Sequence, residues 1–156
     1  MNLKKINKDV IDILIADKTA KKKLGFAFSL LDDGKKVFFA NDVMFVLVKA
    51  EDFLIDISKI DREPFTSAED MVKQANYADD AYFTNTIEVV SGDKRQEVRK
   101  VMSGDRWEWI NEKLLGVFDK DVQLKMASGR KYNMIYVFED GELAGGVLPV
   151  NRGDKK

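Results

Sequence analysis

Asp32-Asp33 and Asp79-Asp80 set two carboxylates side by side, an arrangement through which a hard cation such as Mg²⁺ takes oxygen ligands. Each pair falls in a turn or an acidic stretch, where aspartate is expected for its turn chemistry alone. Cysteine and histidine are absent. Thiol nucleophiles, disulfides, the commonest general base and the commonest zinc ligand are therefore excluded. Neither a glycine-rich phosphate loop, a nucleophile elbow nor an HExxH motif occurs. Carboxylate, lysine, tyrosine and hydroxyl groups remain. The expectation is binding rather than catalysis, with no metal and no cofactor.

Positive charge is the other candidate chemistry. Residues 1–23 hold Lys4, Lys5, Lys8, Lys18, Lys21, Lys22 and Lys23 against Asp9, Asp12 and Asp17. Residues 92–106 hold Lys94, Arg95, Arg99, Lys100 and Arg106 against three acids. Over the whole chain 26 basic residues meet 27 acidic ones, so a basic face must be balanced by an acidic one elsewhere. The stretch 61–83 supplies it, with six acids against Arg62 and Lys73. The plain alternative is an ordinary solvated helix face with lysines matched to the dipole.

The elements that would position these groups follow from periodicity. Leu3 to Ile6 reads as a short strand, Asn7 as an N-cap, and Lys8 to about Lys22 as a helix with Ile6, Val10, Ile13 and Leu14 on its apolar stripe, widened by Ile11 and Ile15. Three strand-like stretches follow: Leu24 to Leu30, a long run Val37 to Val48 that is apolar on both faces, and Phe53 to Ile57. Thr66-x-x-Glu69 reads as a capping box opening a short helix in the acidic connector. The second part reads as a hairpin (Thr86 to Val90, Gln96 to Met102) and a helix with Trp107, Ile110, Leu114 and Val117/Phe118 on one side. Three strands complete it: Val122 to Ala127, Asn133 to Phe138 and Leu143 to Val150. On a helix, Trp107 and Trp109 would point to different sides. A length of 156 residues suits one domain, with halves at about 1–60 and 84–150 around the 61–83 connector and a frayed tail at 151–156. The longest apolar run, Val43 to Val48, is far short of the roughly 20 residues that span a bilayer. With no secretory leader visible, the expected location is cytoplasmic.

This doubled order of strand or hairpin, helix and three strands resembles one domain of the DNA sliding clamps, the polymerase processivity factors. FFANDVMFVLVK (38–49) is similar to the clamp segment in which an Ala-Thr-Asp-like triplet precedes an apolar strand, here Ala40-Asn41-Asp42. The stretch 107–152 is similar to the end of a bacterial clamp, with Leu148-Pro149-Val150-Asn151-Arg152 where the family has a Met-Pro-Met-Arg-Leu-like tail. The resemblance implies an α+β fold of two strand-helix-three-strand halves, with helices on one face of antiparallel sheets. It implies a non-enzymatic tether that holds a polymerase on double-stranded DNA through sequence-independent phosphate contacts. Carried onto this chain, the DNA-facing residues are Lys8, Lys18, Lys21, Lys22, Lys23, Arg106 and Lys113. Leu148, Pro149 and Val150 would border a pocket for a short partner peptide.

A clamp ring has six such domains. One domain per chain therefore implies a homo-oligomer, and so compact a version would suit a bacteriophage genome. Glu108, Glu112 and Asp119 make the second expected helix a poor DNA surface. The alternative is an interaction module of the same fold that does not encircle DNA; a carboxylate–metal hydrolase is a distant third.

Overall fold

The computed structural model describes residues 1–21, 25–90, 95–128 and 133–151. Its elements are α1 (Leu3–Thr19), β1 (Ala27–Leu31), β2 (Lys36–Ala40), β3 (Met44–Lys49), α2 (Ala68–Gln74), β4 (Asp79–Val90), β5 (Gln96–Ser103), β6 (Arg106–Asn111), β7 (Gln123–Met126), β8 (Ile135–Glu139) and β9 (Glu142–Val147). Short 3-10 helices at Ala50–Asp52, Ile57–Lys59, Ala75–Tyr77 and Glu112–Val117 join them. Among the described residues the strands form one antiparallel sheet in the order β1-β2-β3-β9-β8-β7-β4-β5-β6. The chain is thus α+β, as expected.

The inner strands dictate the layering. Val37 and Phe39 of β2, Val46 and Val48 of β3, and Ile135 and Val137 of β8 enter one apolar cluster. Phe38, Phe45, Leu47 and Tyr136, on the alternate positions, enter another. Strands apolar on both faces need a cover on each. Ile6 and Val10 of α1, together with Val117 of the Glu112–Val117 helix, cover the first face. These are the helical segments of the two halves, and they share a face. The connector closes the other through Phe65, Ala68, Met71, Val72 and Ala75. Ring contacts follow the same division. Phe26 stacks on Phe39 at 5.6 Å, while Phe38 stacks on Phe45 at 5.0 Å and on Phe65 at 5.8 Å.

β9 fits between β3 and β8 because two adjacent residues lack side chains. A Cβ on Gly145 would lie 2.4 Å from Phe45 O and 2.7 Å from the Phe118 ring; one on Gly146 would lie 2.5 Å from the Phe45 ring. Packing from both faces closes directly on this backbone. Beyond β9 the chain ties the β3 side to β6, the last strand of the order: Leu148 N–H donates to Val43 O at 2.8 Å and Val150 N–H to Trp109 O at 2.7 Å, so the sheet curls to bring β6 near β9.

Several expectations are corrected. Leu3 to Ile6 is the first turn of α1, capped by Asn2, whose Oδ1 accepts from Lys5 N–H at 3.0 Å. Val37 to Val48 is a hairpin, because Asn41 Oδ1 accepts from both Val43 N–H and Met44 N–H at 2.9 Å and turns the chain. Phe53 to Ile57 is no strand: residues 53–56 are irregular backbone between two 3-10 turns, the second opening at Ile57, with Phe53 buried. Thr66 forms no capping box: α2 begins at Ala68 after Ser67, with no side-chain cap. The expected helix through Trp107 and Ile110 is strand β6. Gly104 at φ 59° sits in a tight turn that pairs Ser103 with Arg106 and folds β6 back on β5. Only Glu112–Val117 is helical there, as a 3-10 segment. The turn of the expected hairpin between Val90 and Gln96, at Ser91-Gly92-Asp93, lies outside the described residues.

Asn7 is not a cap but a buried pin. Its Nδ2 donates to Leu3 O at 2.9 Å and to Asp52 O at 3.1 Å, and its Oδ1 accepts from Leu54 N–H at 2.8 Å. It ties α1 to the irregular 52–54 backbone. Asn7→Ala strands Leu54 N–H and Asp52 O, and should lower unfolding free energy in urea by about 1–3 kcal/mol. Gly145→Ala should cost a similar ~1–3 kcal/mol by overpacking against Phe118 and Phe45.

Candidate nucleic-acid and partner surfaces

The lysines expected to meet DNA are dispersed among other tasks. Lys8 Nζ donates to Asp12 at 2.7 Å, a hydrogen bond that holds its ammonium charged above the usual lysine range. Lys5 makes the equivalent bond to Asp9 at 2.9 Å. These i,i+4 pairs cancel charge along that side of α1. Lys18, in the last turn, lines a cavity between α1 and the connector. Lys21 is exposed beyond the helix end, and Lys22 and Lys23 lie outside the described residues.

Arg106 has a structural task. Its Nη2 pairs with Asp79 at 2.6 Å and its Nη1 donates to Ala127 O at 2.8 Å, joining β6 to β4 and the end of β7. Lys113 is exposed on the Glu112–Val117 helix, where its backbone N–H donates to Asn111 Oδ1 at 3.0 Å. Beside it Glu112 pairs with Arg99 at 3.2 Å. Among the described residues, two of the expected DNA contacts, Lys8 and Arg106, are therefore already paired with carboxylates.

The expected partner pocket is a strap. Leu148 spends its N–H on the β2–β3 turn and Val150 on β6, and Pro149 between them has none to spend. Leu148 and Val43 remain partly exposed beside each other, at 39% and 41%.

The carboxylate pairs do not converge. Asp79 and Asp80 are successive strand residues and point to opposite faces of β4. Asp32 and Asp33 both hold left-handed backbone, φ 53° and 52°, in the β1–β2 turn. Among the described residues no cluster of three or more metal-ligating side chains forms, and no helix is long and apolar enough to cross a membrane. Trp107 and Trp109 share one face of β6, because strand rather than helix spacing sets their direction. Their rings meet edge to face at 6.3 Å, with Lys100 Nζ 4.7 Å from the Trp107 ring centre.

Two features escaped the sequence reading. Ile11 and Ile15, expected to widen the apolar stripe of α1, are instead 41% and 59% exposed and lie outside its core face. Lys4 and Lys8 lie on the same outer side, by the 100° step of a helix. The second feature is the contact of Arg62 with Asp17 across α1 and the connector. A separation of 45 residues leaves no local signal for it. The chain matches no family model, no curated protein and no solved structure.

At the start of α1 the Met1 amine meets Asp119 and Glu139, the latter at 2.7 Å, while Asn2 N–H donates to Val117 O at 2.7 Å. Burial opposes the ammonium charge, but the hydrogen bonds to Asp119 and Glu139 outweigh it and raise the amine above its ordinary value. The bond from that amine, helped by Glu139, pulls Asp119 below the ordinary carboxylate range. The depressed Asp119 contributes stability above its unfolded pKa and loses it as pH falls through the folded one. The raised amine contributes fully below its unfolded pKa and loses that as pH rises through its folded one. Thermal melts across pH should show a plateau with a fall at each end. Asp119→Asn should flatten the acid limb, and an unchanged limb would remove Asp119 as its cause.

Proposed function

We propose that the protein is a non-catalytic interaction module of clamp-like architecture, whose outer α1 face docks an acidic, apolar segment of a partner protein. The single observation that carries this reading is the pair Ile11 and Ile15, exposed one turn apart on α1 with Lys4 and Lys8 on the same side. Two isoleucines in water favour an apolar partner. Lys4, exposed on the same side, favours one that also carries a carboxylate, whereas Lys8 is already paired with Asp12. Phosphate contact alone would leave the isoleucines unused, so encirclement of DNA is the weaker reading. A specific observation keeps it second: Lys21 is exposed immediately before Lys22 and Lys23 in sequence.

A synthetic amphipathic peptide with leucines flanked by glutamates separates the two readings from duplex DNA of random sequence. The module should bind the peptide, and Ile15→Asp should weaken it about tenfold or more without lowering the melting temperature. Unchanged peptide affinity in that variant would refute the α1 surface. Salt-sensitive DNA binding abolished by glutamate at Lys21, Lys22 and Lys23 together would instead establish the second reading.

A further inference from the structure

Between the end of α1 and the connector lies a cavity of about 430 Å³, inside the ~300–1,000 Å³ range of small-molecule sites. Its floor is apolar: Leu14, Phe26, Ile55 and Ile60. Its walls are fixed by polar ties. The Arg62 guanidinium lies over the Phe26 ring, 3.6 Å from the centroid, donates to Phe26 O at 3.2 Å, and pairs with Asp17. Asp56 accepts from Ser58 N–H at 3.1 Å and from its hydroxyl at 2.6 Å, holding the Ile57–Lys59 turn. Asn7 fixes the backbone just before it. The cavity is therefore largely pre-formed rather than a gap between loose segments.

Its charges decide the ligand class. Arg62 and Asp17 answer each other, which leaves Lys18 and Lys59 of one sign and Asp56 and Asp61 of the other at the rim. Lys18, Lys59, Asp56 and Asp61 are all exposed there. We propose that this cavity binds a small zwitterion with an apolar body, the class of free apolar α-amino acids. The carboxylate meets the two ammonium groups, the ligand's own ammonium meets the two carboxylates, and its side chain lies on Leu14, Phe26, Ile55 and Ile60. A simple anion would also meet Asp56 and Asp61, and a simple cation would also meet Lys18 and Lys59. This site is separate from the outer α1 face, and neither reading depends on the other.

The test is an amide NMR titration of the whole chain with three probes: phenylalanine, hydrocinnamate, which lacks the ammonium, and phenethylamine, which lacks the carboxylate. Phenylalanine should give saturable shifts centred on Leu14, Phe26, Ile55 and Ile60, with each half-charged probe binding about tenfold more weakly or worse. Lys59→Gln should weaken phenylalanine and leave phenethylamine unchanged, and Asp61→Asn should weaken phenylalanine and leave hydrocinnamate unchanged. Both positions are exposed, so the folded state survives either change. Equal affinity for all three probes, shifts centred elsewhere, or no saturable shift at millimolar phenylalanine overturns the proposal.

Discussion

The middle of the sheet has no polar face. In β2, β3 and β8 successive residues are apolar, so alternation sends phenylalanine, valine, leucine or tyrosine to both sides. Water must therefore be excluded twice, and the chain needs two covers where a one-sided antiparallel sheet needs one. α1 with the Glu112–Val117 helix supplies the first, and Phe65 with α2 the second. The acidic connector, which reads in sequence as an inserted lobe, is thus a required layer. Most of its acids, Asp61, Glu63, Glu69, Asp79 and Asp80, are exposed, while its Ala68, Met71, Val72 and Ala75 are needed inside. The same double packing explains the bare backbone of Gly145 and Gly146, since a side chain on either would push a cover away.

What the sequence reveals and what it hides divides along the range of the determining contact. The strands β5, β7, β8 and β9 and the body of α1 lie where local periodicity puts them, and the Asp140-Gly141 hairpin turn adopts the left-handed pair its residues favour, φ 50° and 79°. Residues 103–118 do not follow their helical pattern. Trp107, Ile110 and Leu114 have helical spacing and Trp107 with Trp109 has strand spacing, so period alone is undecided. Pairing with β5, made by the Gly104 turn, decides for the strand. Asn7 has the residue type of a cap, and nothing local to it distinguishes a cap from a buried pin. Its partners at 52 and 54 exist only once the fold brings them near. Of the candidate site, the lysines and their i,i+4 aspartates are visible in sequence. The Arg62–Asp17 tie and the cavity it frames are not.

Two arginines solve one recurring problem. Just outside a strand's first or last residue the backbone carbonyl lacks a regular ladder partner, and an unpaired buried carbonyl is costly. Arg62 takes Phe26 O and Asp17, and Arg106 takes Ala127 O and Asp79. A guanidinium does this better than an ammonium because its planar fork serves a carbonyl and a carboxylate together. Arginines of this kind add to any sequence count of basic charge, yet they leave little field at the surface. A basic patch counted in sequence therefore overstates the charge available to nucleic acid here.

The same economy bears on assembly. An open sheet exposes two edge strands, and unpaired edges invite association. At the β1 edge Phe65 N–H already donates to Phe28 O at 2.7 Å, next to the Arg62 bond to Phe26 O. At the β6 edge Val150 N–H already occupies Trp109 O. Each end of the strand order is thus partly satisfied by its own chain. β4 is different: β7 pairs with it only from Asp79 to Ala81, and from Tyr82 onward its pairing is with β5 alone among the described residues. The bulge between Phe83 and Ile87, held by Thr84 Oγ1 donating to Lys100 O at 2.9 Å, twists that free side away from a flat template. The unpaired side of β4 is therefore one bent segment rather than a flat edge. Association through side chains, on the outer face of α1, meets no such obstacle.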